Sequence, residues 1–107
     1  MNPASAAVAA IYFRMQENLS DILEACAPEQ RAAVRAQFVL ARQNYNACLN
    51  QAFHANDPAL DALVQQADAA AVAIENIGNQ LGNYTKVIQT LTTAVSVGSK
   101  IAAKIIV

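Results

Sequence analysis

The sequence predicts an all-α fold, an antiparallel up-down-up-down four-helix bundle. Three observations carry that prediction. Apolar residues recur at alternating spacings of four and three along most of the chain, which is the period of an amphipathic helix and not of a strand. The composition is 55% hydrophobic and rich in alanine, the strongest intrinsic helix former. Proline stands at Pro3, Pro28 and Pro58, each at the start of a periodic segment, where its missing N–H costs nothing. A chain of 107 residues suits one domain.

The first helix is expected over 3–26. Its seam is Val8, Tyr12, Met15, Leu19, Ile22 and Cys26, widened by Ile11 and Leu23, with Arg14, Glu17, Asn18, Asp21 and Glu24 off it. Pro28 then interrupts, and the residue before a proline is pushed out of the α region, so Ala27 is the joint. The second helix is expected over 28–55, on the seam Val34, Phe38, Ala41, Tyr45, Cys48 and Ala52. The seven-residue register slips between Cys26 and Val34, which marks a break rather than a continuous rod. Asn56-Asp57-Pro58 is the clearest boundary, with Asp57 as N-cap and Pro58 in the first helical position. The third helix, 58–81, carries Leu60, Leu63, Ala67, Ala70, Ile74, Ile77 and Leu81. Its alanine-rich middle lets a neighbouring helix approach closely.

The stretch from Asn76 to Tyr84 decides the architecture. It holds Gly78 and Gly82, yet the seam continues through Tyr84, Ile88, Leu91, Val95, Gly98, Ala102 and Ile105 without a slip. Taken alone, that describes the alternative fold, three helices with one long helix 58–106 swapped in an oligomer. Three features favour a turn. Leu81-Gly82-Asn83 reads as a helix stop, a left-handed glycine and a new cap. A turn yields a fourth helix, 83–106, and four helices of nearly equal length, as a bundle needs. The charges also alternate along the chain. Arg14 against Glu17, Asp21 and Glu24 makes helix 1 −2, and Glu29 against Arg31, Arg35 and Arg42 makes helix 2 +2. Asp57, Asp61, Asp68 and Glu75 make helix 3 −4, and Lys86, Lys100 and Lys104 make helix 4 +3. An antiparallel turn would set Asp57 level with Lys104, Asp61 with Lys100 and Glu75 with Lys86. Helix 4 is rich in β-branched residues, which leans towards strand, but its spacing is helical.

For function, the residues exclude more than they assign. A net charge of −1 removes any general electrostatic affinity for nucleic acid or an anionic membrane. The apolar stretch Ala6 to Phe13 lacks the basic start and the cleavage site of a signal peptide, and no 18-residue apolar run exists for a transmembrane helix. His54, the only histidine, reads as a surface residue near the end of helix 2. Cys26 and Cys48 fall on seams but lie far apart in a helical hairpin, beyond disulfide reach. As buried free thiols they point to a reducing, cytoplasmic compartment, with leaderless secretion as the alternative. No catalytic residue, cofactor or metal site is expected. The acidic rows read as solvated faces, and a di-iron bundle needs a second histidine. Tyr12, Tyr45 and Tyr84 read as core tyrosines with hydroxyls reaching water.

Two surfaces remain. Phe13 lies off the seam of helix 1, and Val39 and Leu40 flank that of helix 2, together a candidate patch for self-association or a partner. The tail from Ser99 to Val107 is cationic and apolar, through Lys100, Ile101, Lys104, Ile105 and Ile106. It either packs as the end of helix 4 or detaches towards a partner or a membrane interface. Two lysines are few for adsorption, so packing is favoured. The expectation is a non-enzymatic protein–protein interaction or assembly module, binding itself or another protein and no nucleic acid. The alternative is a membrane-active or secreted helical protein that uses its C-terminal helix.

Overall fold

The computed structural model describes residues 2–106. Four helices are present: α1 (Pro3–Ala25), α2 (Arg31–Cys48), α3 (Pro58–Glu75) and α4 (Tyr84–Ala102). The all-α bundle is formed, and each of its ends has a local cause.

α1 opens on Asn2, whose side-chain oxygen accepts a hydrogen bond from the Ser5 N–H at 2.8 Å, with Pro3 in the first turn. Ala27 is extended, with φ −63 and ψ 152, as its position before Pro28 requires. Pro28–Gln30 forms a single 3₁₀ turn, so α2 begins at Arg31 and not at Pro28. The Gln30 side chain accepts from the Ala27 N–H at 2.9 Å, and Arg31 Nε donates to the Leu23 carbonyl at 2.9 Å. The second bond adds to the Cys26 N–H, which reaches the same carbonyl at 3.3 Å, at the end of α1, where carbonyls lack the full set of intrahelical donors.

α2 stops at Cys48, well before the expected Ala55. Asn50 and Asn56 adopt left-handed φ values of 60 and 58, a conformation that asparagine tolerates and a right-handed helix cannot contain. The linker 49–57 therefore leaves helical geometry and crosses the end of the bundle. α3 starts where the sequence predicts. Asp57 Oδ1 accepts from the Ala59 and Leu60 amides at 3.0 and 3.2 Å.

α3 ends at Glu75, a short 3₁₀ turn follows over Ile77–Gln80, and Asn83 caps α4 by accepting from the Lys86 N–H at 3.2 Å. The chain turns, and the long helix 58–106 is not formed. The left-handed glycine expected there is absent. No glycine has positive φ, and a Cβ on Gly78 or Gly82 would meet nothing within 4 Å. The reversal comes instead from the 3₁₀ turn, pinned by the buried Ile77, and from the Asn83 cap.

Helix directions alternate along the chain, but not every spatial neighbour is consecutive. α1 packs on α2 and α3, α4 packs on α2 and α3, and α1 meets α4 across the middle. Among the described residues α2 and α3 do not touch. The linker 49–57 thus runs along a diagonal, and α1 and α3 lie side by side in parallel. This corrects the charge argument, because the two acidic helices are neighbours, as are the two basic ones. Apolar burial sets the arrangement: a buried aliphatic side chain contributes about 1.5–3 kcal/mol, against ~0–1 kcal/mol for an exposed ion pair. Of the expected pairs, Lys104 Nζ reaches Asp57 Oδ2 at 3.5 Å, whereas Glu75 lies 3.8 Å from Arg14 Nε rather than beside Lys86.

The core is built on Met15, Ile22, Val34, Ile74, Ile77, Leu91 and Ile101, all sealed from solvent. Ser5 is buried with them, and its Oγ donates to the Cys48 carbonyl at 2.8 Å, tying the start of α1 to the end of α2.

Asp57 is expected to contribute to the acid sensitivity of the fold. The Leu60 amide foremost, then Lys104 and the Ala59 amide, hold its carboxyl below the usual range against an opposing effect of partial burial. A carboxylate depressed in the folded state stabilises fully above its unfolded pKa, near 4, and loses that contribution as pH falls through the lower folded value. Asp57→Asn is therefore expected to flatten the acid limb of stability below about pH 4. At pH 7, Asp57→Ala is expected to lower Tm by about 4–8 °C through the lost cap. Circular-dichroism melts from acid to neutral pH check both.

Candidate functional site

Helices α1 and α2 bring four aromatic rings together. Tyr12 stacks on Tyr45 at 5.0 Å between centroids and lies 5.5 Å from Phe38. Phe13 meets Tyr12 at 5.3 Å and the edge of Tyr45 at 5.2 Å. These separations are those of favourable aromatic pairs. Tyr12, Phe38 and Tyr45 are half-buried, but Phe13 remains 40% exposed. The Arg42 guanidinium sits 5.9 Å from the Phe38 centroid, within cation–π range.

The same face continues into a cleft of about 270 Å³ lined by Ser20, Leu23, Glu24, Arg31 and Arg35. Arg31, Arg35, Phe38, Arg42, Tyr45 and Leu49 recur at spacings of three and four, so they share one flank of α2. Leu49 is exposed at its end. The face therefore joins an aromatic edge to a row of three arginines.

The predicted patch is divided by this geometry. Phe13, Val39 and Leu40 are all exposed, at 40, 38 and 42%. Val39 lies one turn from both Arg35 and Arg42 and borders the aromatic face. Leu40 lies one turn before Asn44, whose Nδ2 donates to the Val95 carbonyl at 3.3 Å and to Ser99 Oγ at 3.1 Å. Leu40 thus flanks α4, away from Phe13. What sequence reasoning missed was the union of Tyr12, on the helix 1 seam, with Phe38 and Tyr45 on the helix 2 seam. Joining them needs the register of the hairpin, in which Ser5 is level with Cys48, Tyr12 with Tyr45 and Leu23 with Arg31. The arginine spacing on α2 was the available signal.

The other candidates sit elsewhere. His54 belongs to the linker 49–57 and not to a helix end. It is exposed and lines a second cleft of about 270 Å³ with Phe53, Leu60, Asp61 and Val64. Among the described residues no group of three His, Cys, Asp or Glu side chains is placed to hold a metal ion. Cys26 and Cys48 are free and buried at opposite ends of the α1–α2 hairpin. Burial pushes the Cys48 thiol up, away from the reactive thiolate.

The C-terminal tail is tied down. α4 ends at Ala102 and not at residue 106. Beyond it the Ile106 N–H donates to the Ala52 carbonyl at 2.9 Å, and Ile105 pairs with Phe53 in an isolated antiparallel bridge. Ile101 is fully buried, Lys104 pairs with Asp57, and Lys100 is exposed. Val107 lies outside the described residues. No described helix is long and apolar enough to cross a membrane.

Comparison with protein-family models, with curated proteins and with solved structures finds no match.

Proposed function

We propose that this chain is a non-enzymatic protein–protein interaction and assembly module that docks through the α1/α2 face. The observation that carries the reading is the exposed edge of the aromatic cluster, Phe13 with Val39 and Leu49 at its border and Arg42 beside it. Phenylalanine, tyrosine and arginine are enriched in the cores of protein interfaces, and tyrosine and arginine are among the residues that carry most of the binding energy there. Tyr12 and Tyr45 also pack against Phe13, which reduces the side-chain entropy it has left to lose on docking.

The membrane reading has less support. Detaching the tail would break its bonds to the linker, expose Ile101 and leave Asp57 without Lys104. The two tail lysines would supply only about 1 kcal/mol each at an anionic surface.

Photocrosslinking tests the docking face. A benzoylphenylalanine in place of Val39, with the full chain expressed in its native cells, is expected to form a covalent protein adduct. The same probe in place of Ala69, exposed on α3, serves as control. The absence of an adduct at Val39 would overturn the assignment, and adducts at Ala69 alone would move the docking face to α3.

A further inference from the structure

The two edges of the α1/α2 face carry opposite charge. Glu17 and Glu24 are exposed on α1, and Arg35 and Arg42 are exposed on α2. Glu17 bonds Arg14 at 3.1 Å on its own helix, while Glu24, Arg35 and Arg42 form no ion pair among the described residues. A face with one acidic and one basic edge is complementary to itself when rotated by half a turn.

We infer that the occupant of this face is a second copy of the same chain, related by a two-fold axis parallel to the helices. The inference rests on the docking face proposed above. Such a rotation lays α1 of each copy over α2 of the other and leaves every residue at its own height, so each contact is made twice. The hairpin register, Ser5 level with Cys48, Tyr12 with Tyr45 and Leu23 with Arg31, then fixes the partners. Phe13 of each copy meets Arg42 of the other, putting that guanidinium against a second ring beside Phe38. Ser20 meets Arg35 of the other copy, with Glu17 and Glu24 on either side of it.

The size is adequate. The molecule measures 43 × 20 × 18 Å, so a whole long face offers on the order of 800 Å² per partner, what a stable interface buries. The other faces are less suited. The α1/α3 side sets acidic helix against acidic helix in any such pairing, and the α2/α4 side sets basic against basic. The α3/α4 side has edges of opposite sign, but its cleft is lined by Ala70, Ala73, Lys86, Gln89, Thr90 and Thr93 and presents no large apolar anchor.

The test uses two charge-reversed variants of the full chain, Arg35→Glu with Arg42→Glu, and Glu17→Arg with Glu24→Arg. Light scattering and sedimentation equilibrium should give the wild type twice its 11.3 kDa chain mass. Each variant alone should weaken the dimer about tenfold or more, since like charges then face each other. An equimolar mixture should recover an affinity within about threefold of wild type, because in the mixed pair acid again meets base along both halves. Circular dichroism establishes that each variant is folded; if either is not, Phe13→Ser takes its place and should weaken the dimer about tenfold. A wild type that keeps a mass of 11.3 kDa at about 100 µM, far above the Kd of a standard-size interface, overturns the inference, as does a mixture that fails to recover. The Val39 photoadduct separates the two levels of the argument. An adduct between two copies supports the dimer. An adduct with a different chain overturns the dimer and leaves the docking face standing, and no adduct overturns both.

Discussion

Replacing Leu91 with alanine is expected to destabilise the bundle by about 2–5 kcal/mol. Leu91 is fully sealed from solvent near the middle of α4, which, like α1, touches all three other helices. Truncation removes the transfer free energy of the lost carbons and leaves a void that three packed helices can only partly close. Alanine is the better helix former, so any loss measured is tertiary and not local. The control is Val72→Ala on the outside of α3, where the side chain is 55% exposed and the change should stay within about 0.5 kcal/mol. Urea denaturation at fixed pH measures both. A cost below about 1 kcal/mol at Leu91 would mean that α4 does not pack as described.

The second large effect is expected at Gly98. A Cβ there would lie 3.2 Å from Asn44 Nδ2, the group that bonds the Val95 carbonyl and Ser99 Oγ. Alanine needs Asn44 to retreat by only a few tenths of an ångström, and the helix gains about 1 kcal/mol from losing a glycine. Gly98→Ala should therefore be close to neutral. Gly98→Leu has no such escape. It forces α2 and α4 apart and takes Asn44 from its partners, at a cost of about 1–3 kcal/mol. If leucine were as well tolerated as alanine in the same denaturation series, the close approach of α2 and α4 at this point would be wrong.

These two sites differ in how far they were legible beforehand. Leu91 stands in a 3–4 apolar pattern that any reading of the chain finds, and burial follows from the pattern. Gly98 stands in the same pattern, but nothing local says that its missing side chain makes room for an asparagine on another helix. The same division runs through the candidate site. Phe13 and Val39 were recognisable as apolar residues off their seams. Leu40 satisfied the same criterion, yet it lies on the α4 flank of its helix, because periodicity assigns a residue to an angle on its own helix and not to a neighbour. The turn at Asn76 to Tyr84 followed from its asparagine cap and from helix lengths, although the glycines contributed none of the left-handed geometry expected of them. The left-handed residues are Asn50 and Asn56, and they cut α2 short where periodicity ran on through Ala52.

By itself the sequence determined that this protein is helical, where Asp57 and Pro58 start the third helix, and which residues are apolar enough to form the core, and it favoured a fourth helix over a continuous 58–106. Those features depend on neighbours within one or two turns, and local spacing, capping and proline stereochemistry are sufficient to set them. Only the tertiary structure decided which helices touch. Acidic α1 lies beside acidic α3 because the linker 49–57 crosses the bundle, and weak, solvent-screened surface charge cannot outweigh the burial of a continuous apolar core. From that choice follow the aromatic edge at Phe13, its row of arginines, and the face through which the protein is proposed to assemble.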